Sequence, residues 1–213
     1  QKITITLYIL IFLNYLTIFF TYNYVFNLVL SYLIVVFFFL CLININKNNH
    51  FLKFLLIIFL IFCLGSPTFH FDARWIWLLK GKQIFLNNDL EFLKEDYFQG
   101  LVWQSYPLLG PSLASSIANI FGYWNEVFPK AFSLILSVPP LIYLNSIIKK
   151  KVNKLFFILI IIFVLEKSII IGEMDGLVSI YFVTVFIIFF KKIFRNSFFS
   201  TEDDKFIFSK NEN

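Results

Sequence analysis

The chain has 213 residues, of which 59% are hydrophobic and 15% are charged, and its formal net charge is +5. About a quarter of the residues of a soluble domain are charged, so this composition excludes a soluble globular domain. The positive charge does not indicate a nucleic-acid partner, because most basic residues lie in short clusters beside apolar runs, where they orient a protein in the lipid bilayer. The sequence therefore predicts an all-α, polytopic membrane protein.

Apolar runs of membrane-spanning length predict about six transmembrane helices. These runs are Ile3–Phe20, Val25–Leu42, Phe51–Leu64, Ala131–Ile148, Leu155–Ile171 and Leu177–Phe190. Each helical residue adds about 1.5 Å, so about 18 residues cross most of a hydrocarbon core about 30 Å thick. Pro139 and Pro140 lie inside the fourth run and predict a kink. Cys41 and Cys63 lie inside apolar runs and are predicted to be packing residues.

Basic clusters between the apolar runs predict the orientation of the chain. They consist of Lys47, then Lys149, Lys150, Lys151 and Lys154, then Lys191, Lys192 and Arg195. The positive-inside rule places all of them in the cytoplasm, together with the amino terminus. We therefore predict a multi-pass protein of the cell inner membrane. Its membrane module covers residues 1–195 with an outer loop at 65–130, and residues 196–213 form a polar cytoplasmic tail that we expect to be truncated.

The segment Leu108–Phe121 (LLGPSLASSIANIF) is apolar, but it is not predicted to cross the membrane. A span at this position would place the Lys149 cluster outside, against the positive-inside rule. The segment also carries four polar side chains that are costly in lipid, namely Ser112, Ser115, Ser116 and Asn119. We therefore predict that the large extracytoplasmic loop carries a helix lying along the membrane surface here.

Asp72 is the first candidate catalytic residue, because it follows the third apolar run at the outer membrane surface. A carboxylate in this position can accept the proton of an acceptor hydroxyl as a general base. Nearby hydrocarbon would raise its pKa and favour that role. The alternative is a helix N-cap, since Asp is favoured immediately before a helix such as Ala73–Phe85. His70, two residues earlier, is a candidate metal ligand, but a lone histidine is more often a structural or solvated residue.

Glu173 and Asp175 form an acidic turn between the last two apolar runs. Charged groups at membrane depth are costly and usually functional. Gly172 and Gly176 flank the pair and allow the backbone to approach a ligand or another loop closely. Asp175 and Asp72 are candidate oxygen ligands of a divalent cation. The competing explanation is again a helix N-cap, in this case for the last span.

Arg74, Lys80 and Lys82 follow Asp72 on the same predicted helix. A phosphate leaving group needs positive charge nearby, and these residues would provide it at the depth of the lipid headgroups. The alternative is that they extend toward the headgroups without binding a substrate.

The order of these motifs resembles the membrane glycosyltransferases of the GT-C superfamily, such as protein O-mannosyltransferases and aminoarabinose transferases. In that family an acidic residue opens the first large outer loop, a proline-rich segment and a Phe-Gly follow, and a second acidic turn precedes a later span. The matching residues here are Asp72, then Tyr106-Pro107-Leu108-Leu109-Gly110-Pro111, then Ile120-Phe121-Gly122 with Glu126 and Lys130, and then Gly172-Glu173-Met174-Asp175.

The resemblance implies transfer of a sugar from a polyprenyl-phosphate carrier to a glycan, lipid or protein acceptor outside the cytoplasm. Asp72 would be the base or a metal-linked carboxylate, and Asp175 would be the second acidic residue of the catalytic site. The expected substrate-binding residues are Arg74, Lys80, Lys82, Tyr106 and Glu173.

Several features depart from the family pattern. Three spans precede the loop where many members have one, and Lys130 replaces the usual Arg. The chain is also less than half the usual family length, so we expect an amino-terminal portion that is inactive by itself. The alternative is a non-catalytic accessory subunit of cell-envelope polysaccharide assembly or export.

Overall fold

A computed structural model describes residues 2–20, 23–45, 50–66, 68, 71, 73–88, 107–148, 151–171 and 173–194. Asp72, His70, Tyr106 and the tail at 196–213 lie outside the described residues, so the predictions made for them remain predictions. Within the described ranges the chain is helical and contains no strand, which confirms the predicted all-α class for this part of the protein.

The helices follow the apolar runs of the sequence closely. They are α1 (Lys2–Phe20), α2 (Tyr24–Asn44), α3 (His50–Gly65), α4 (Leu79–Asn87), α5 (Leu109–Phe121), α6 (Phe132–Ile147), α7 (Lys151–Glu166) and α8 (Asp175–Phe194). A π-helical segment, Ala73–Leu78, leads into α4, and a second one, Lys167–Ile171, follows α7. The 3₁₀ turn Pro129–Ala131 leads into α6.

Among the described residues, three helical stretches are long and apolar enough to cross a membrane: α1, α2 and Pro129–Ile147. Protein atoms bury 78% of an apolar 18-residue stretch of Pro129–Ile147, but only 28% of such a stretch in α1 and 39% in α2. The stretch Pro129–Ile147 is therefore the central helix of the bundle. Helices α1 and α2 present large apolar side chains on the outside of the bundle, as expected for helices that contact lipid.

Helix α6 continues from Phe132 to Ile147 through both of its internal prolines. Pro140 has no N–H, so the carbonyl of Leu136, four residues earlier, lacks its usual helical donor. The hydroxyl of Tyr181 on α8 donates to this carbonyl at 2.8 Å. A side chain of a neighbouring helix thus satisfies the backbone group that the proline leaves unpaired, as membrane helices require.

Helix α5 is not a surface helix, so this part of the sequence prediction is wrong. Every residue from Gly110 to Asn119 is buried, and α5 packs against α1, α2, α4 and α6. Small residues make this close packing possible. A Cβ atom added at Gly81 of α4 would lie 3.1 Å from the carbonyl oxygen of Pro111, and one at Gly110 would lie 2.9 Å from the Phe132 ring.

The predicted packing role of the two cysteines is confirmed. Cys41 on α2 and Cys63 on α3 are free thiols, and both are buried in the main hydrophobic core. Neither contributes to a disulfide.

Candidate functional site

Lys130 joins two segments at one end of the bundle. Its side chain is completely buried. The ammonium group donates to the backbone carbonyl of Ser66, to the Ser66 hydroxyl at 2.9 Å and to the carbonyl of Ile170 at 3.0 Å. The Ser66 hydroxyl also donates to the Ile170 carbonyl at 3.0 Å. An ammonium group has three N–H donors, and each of them has an oxygen acceptor here. We call this set of hydrogen bonds the Lys130 contact.

The Lys130 contact brings together motifs that are distant in sequence. Ser66 follows α3 and opens the segment that leads to Asp72, while Ile170 precedes the acidic turn. The turn also approaches the amino end of α5, because a Cβ atom at Gly110 would lie 3.6 Å from Cε of Met174. The end of α3, the beginning of α5 and the acidic turn therefore lie at the same end of the bundle.

The two acidic residues of the turn differ in their surroundings. Asp175 is the first residue of α8 and is exposed, so its charge also compensates the positive end of the helix dipole. Glu173 is half-buried, and its backbone N–H donates to the Lys167 carbonyl at 3.4 Å. The geometry is thus compatible with a structural role for Asp175 at the helix end. The predicted catalytic role remains a prediction.

Gly176 has a packing function. A Cβ atom at this position would lie 2.0 Å from the carbonyl oxygen of Val164 and 2.8 Å from the Ser168 hydroxyl. That hydroxyl accepts the N–H of Leu177 at 3.3 Å. The glycine therefore allows α8 to contact α7. The sequence predicted a close approach to a ligand or another loop, and the observed approach is to a neighbouring helix.

Arg74 forms an ion pair with Glu126. The guanidinium Nη2 lies 3.1 Å from Oε2 of Glu126, and the two side chains are 49% and 45% exposed. The backbone carbonyl of Glu126 also accepts the Thr68 hydroxyl at 3.2 Å. Arg74 is accessible to a ligand, but a phosphate would have to replace Glu126 as its partner.

The other two basic residues of the predicted phosphate site differ from Arg74 and from each other. Lys80 is completely buried and Lys82 is exposed, although they are only two residues apart on α4. Burial lowers the pKa of Lys80 to about 8. Arg74, Lys80 and Lys82 therefore do not present three charges to one accessible surface.

No cation site is complete within the described ranges. In that part of the chain no three His, Cys, Asp or Glu side chains come together in a group that could hold a metal ion. Asp175 is available as a ligand, but its predicted partner Asp72 lies outside the described residues. We therefore assign no step to a metal ion.

Sequence reasoning missed the function of Lys130. In the sequence, Lys130 is only one of the matching motif residues, where it replaces the usual Arg, although it is the single charged residue at the beginning of a long apolar run. A charge in that position signals that a buried partner exists. It does not identify the partner, because Ser66 lies 64 residues away along the chain.

Comparison with known proteins gave no match. No protein-family model, no curated protein and no solved structure is significantly similar to the chain. The function must therefore be argued from the residues and the geometry described above.

Proposed function

We propose that the chain is a membrane glycosyltransferase, or the amino-terminal portion of one, that transfers a sugar from a polyprenyl-phosphate carrier to an extracytoplasmic acceptor. The observation that supports this proposal most is the Lys130 contact. It holds the beginning of the segment that carries Asp72 next to the end of the segment that precedes Asp175. Two carboxylates can serve one active centre only if their segments share one end of the bundle.

The topology is part of the same proposal. All six apolar helices cross the inner membrane, with the amino terminus and the lysine clusters in the cytoplasm. The ends of α3 and of the Lys167–Ile171 segment, and the beginnings of α6 and α8, then lie on the extracytoplasmic side. This alternation is consistent with the hydrogen bonds that Lys130 makes to Ser66 and Ile170.

The proposed reaction uses the acidic and basic residues in different roles. Asp72 removes the proton of the acceptor hydroxyl, whose oxygen forms a bond to the anomeric carbon of the sugar. The bond from that carbon to the phosphate oxygen breaks, and polyprenyl phosphate leaves with the negative charge. Arg74 exchanges Glu126 for this phosphate and stabilises the charge. Asp175 is the second carboxylate of the centre.

A transfer assay on the full-length protein in membranes tests the proposal. Asp72→Asn is expected to abolish transfer while expression and membrane insertion stay normal, because an amide cannot accept the proton. Glu166→Gln is the matched control, since Glu166 is an exposed carboxylate on α7 outside the matching motifs. Full activity of Asp72→Asn would exclude the role of Asp72 as a base.

The second candidate is a non-catalytic accessory subunit of envelope polysaccharide assembly or export. Two observations favour it: Glu126 already neutralises Arg74, and Lys80 is enclosed in the protein. This candidate predicts that Asp72→Asn and Asp175→Asn both preserve function and that no polyprenyl-phosphate sugar binds. Binding of the carrier lipid measured on purified protein therefore separates the two candidates.

A further inference from the structure

Helices α1, α2 and α5 enclose a group of polar side chains that the proposed function does not use. The Ser116 hydroxyl of α5 lies 2.9 Å from Oδ1 of Asn14 on α1. The Thr17 hydroxyl of α1 lies 2.9 Å from the Asn14 carbonyl and is also hydrogen-bonded to Oδ1 of Asn27 on α2. We call Asn14, Thr17, Asn27 and Ser116 the polar network.

Both amides of the polar network have a polar atom without a partner. Asn14 and Asn27 are completely buried, and in each of them Nδ2 has no hydrogen-bond partner. Ser115, next to Ser116 on α5, has an unpartnered buried hydroxyl as well. Leaving a buried donor unsatisfied is costly, because the group loses its hydrogen bonds to water without gaining another partner.

Reversing the two amides does not remove the problem. The Ser116 hydroxyl has one hydrogen but lies near two acceptors, since the Ser112 carbonyl is also 2.9 Å away. If the Asn14 amide is turned over, its nitrogen donates to Ser116 while Ser116 donates to Ser112. The same exchange applies to Asn27 and Thr17. Each amide oxygen then occupies the position where the nitrogen lacked a partner.

We propose that the polar network is a binding site for internal water, located where the two asparagine side chains lack partners. Water has two O–H groups and two acceptor sites, so it can satisfy an asparagine amide in either orientation. The groups of the network are neutral, and an ion would therefore have no opposite charge to compensate for its loss of hydration. The bound water then satisfies the polar interface through which α5 is held between α1 and α2.

This inference does not depend on the proposed function, and nuclear magnetic resonance of the wild-type protein in lipid nanodiscs tests it directly. With uniformly ¹⁵N-labelled protein, magnetisation transfer from water to the side-chain amides of Asn14 and Asn27 is measured. We expect a cross-peak with water at both amides. Exposed Asn87 is the positive control, and the backbone amides of Val138 and Leu141, which lie in the fully buried part of α6, are the negative control. Absence of a water signal at both asparagines would overturn the proposal.

Two variants test whether one water site serves both amides. Asn27→Leu removes one partner of the water, so the water signal at Asn14 is expected to fall several-fold. Ser31→Ala is the matched control, because it removes only the bond from the Ser31 hydroxyl to the Asn27 backbone carbonyl. An Asn14 signal that is unchanged in Asn27→Leu would show that the two amides do not share water. If Asn27→Leu does not fold, the reciprocal variant Asn14→Leu replaces it, and the water signal at Asn27 is then expected to fall several-fold.

Discussion

Lys130 shows how a buried charge can be accommodated without a carboxylate. A charged group without hydrogen bonds is very costly to bury, but here each N–H of the ammonium group has an oxygen partner. Two of the three acceptors are backbone carbonyls near the ends of helical segments, where carbonyls lack helical donors. The lysine therefore stabilises the ends of two segments at once.

Replacing Lys130 with Met is expected to destabilise the protein strongly. Each hydrogen bond to a charged group contributes about 1.5–3 kcal/mol. Three hydrogen bonds are lost together, and only the Ile170 carbonyl keeps a second donor, the Ser66 hydroxyl. Thermal unfolding in detergent measures the effect. Lys82→Met is the control, because Lys82 is an exposed lysine. Equal unfolding temperatures of the two variants would contradict the structural role of Lys130.

The lowered pKa of Lys80 predicts a pH dependence of stability. Its pKa is about 8 in the folded protein, against an ordinary value of 10.5. Between these values the unfolded chain binds more protons than the folded one, so stability rises with pH across this window and levels off above it. Below pH 8 both states are protonated, and the cost of the buried charge is present in full.

Thermal unfolding measured from pH 7 to pH 10 checks this prediction. The wild-type unfolding temperature is expected to rise relative to that of Lys80→Met, which has no charge to release. Lys82→Met retains Lys80 and should follow the wild type. Parallel curves for the wild type and Lys80→Met would show that burial does not affect the ionisation of Lys80.

At the scale of elements, the limits of the helices could be predicted well and the surroundings of one helix could not. Apolar periodicity and length determine where α5 begins and ends, and the predicted range Leu108–Phe121 differs from the observed one by one residue. Its burial depends on partners far away in sequence, such as Asn14, which lies 102 residues from Ser116. Polar side chains that are costly in lipid are inexpensive when another helix provides their hydrogen bonds.

The bond between Tyr181 and the Leu136 carbonyl yields a prediction about helix packing. Tyr181→Phe leaves a buried carbonyl without a donor and is expected to cost about 1–3 kcal/mol. Pro140→Ala restores a backbone N–H that can donate to the same carbonyl. The cost of Tyr181→Phe should therefore be much smaller in the Pro140→Ala background. Unfolding measurements on the four proteins of this cycle test the coupling, and equal costs in both backgrounds would contradict it.

At the scale of the whole molecule, the sequence predicted which segments share one end of the bundle but not how they are connected. The lysine clusters indicated that the region after α3 and the acidic turn lie on the same side. The hydrogen bonds of Lys130 to Ser66 and Ile170 agree with that arrangement. The pairing of Arg74 with Glu126 had no signal in the sequence, because two exposed charges 52 residues apart have many potential partners.

Cysteine labelling in intact cells tests the proposed sidedness. Asn87 at the end of α4 and Asn153 near the beginning of α7 are both exposed, and the native cysteines are buried and should label little. In Asn87→Cys, a membrane-impermeant maleimide should react in intact cells, because the proposed topology places this residue in the extracytoplasmic loop. In Asn153→Cys it should react only after permeabilisation, because the proposed topology places the adjacent lysines in the cytoplasm. Labelling of both variants under the same condition would place the two residues on one side of the membrane. In that case α7 would not cross the membrane from the cytoplasm to the end of the bundle where Lys130 lies. The Asp72 segment and the acidic turn would then not share one active centre.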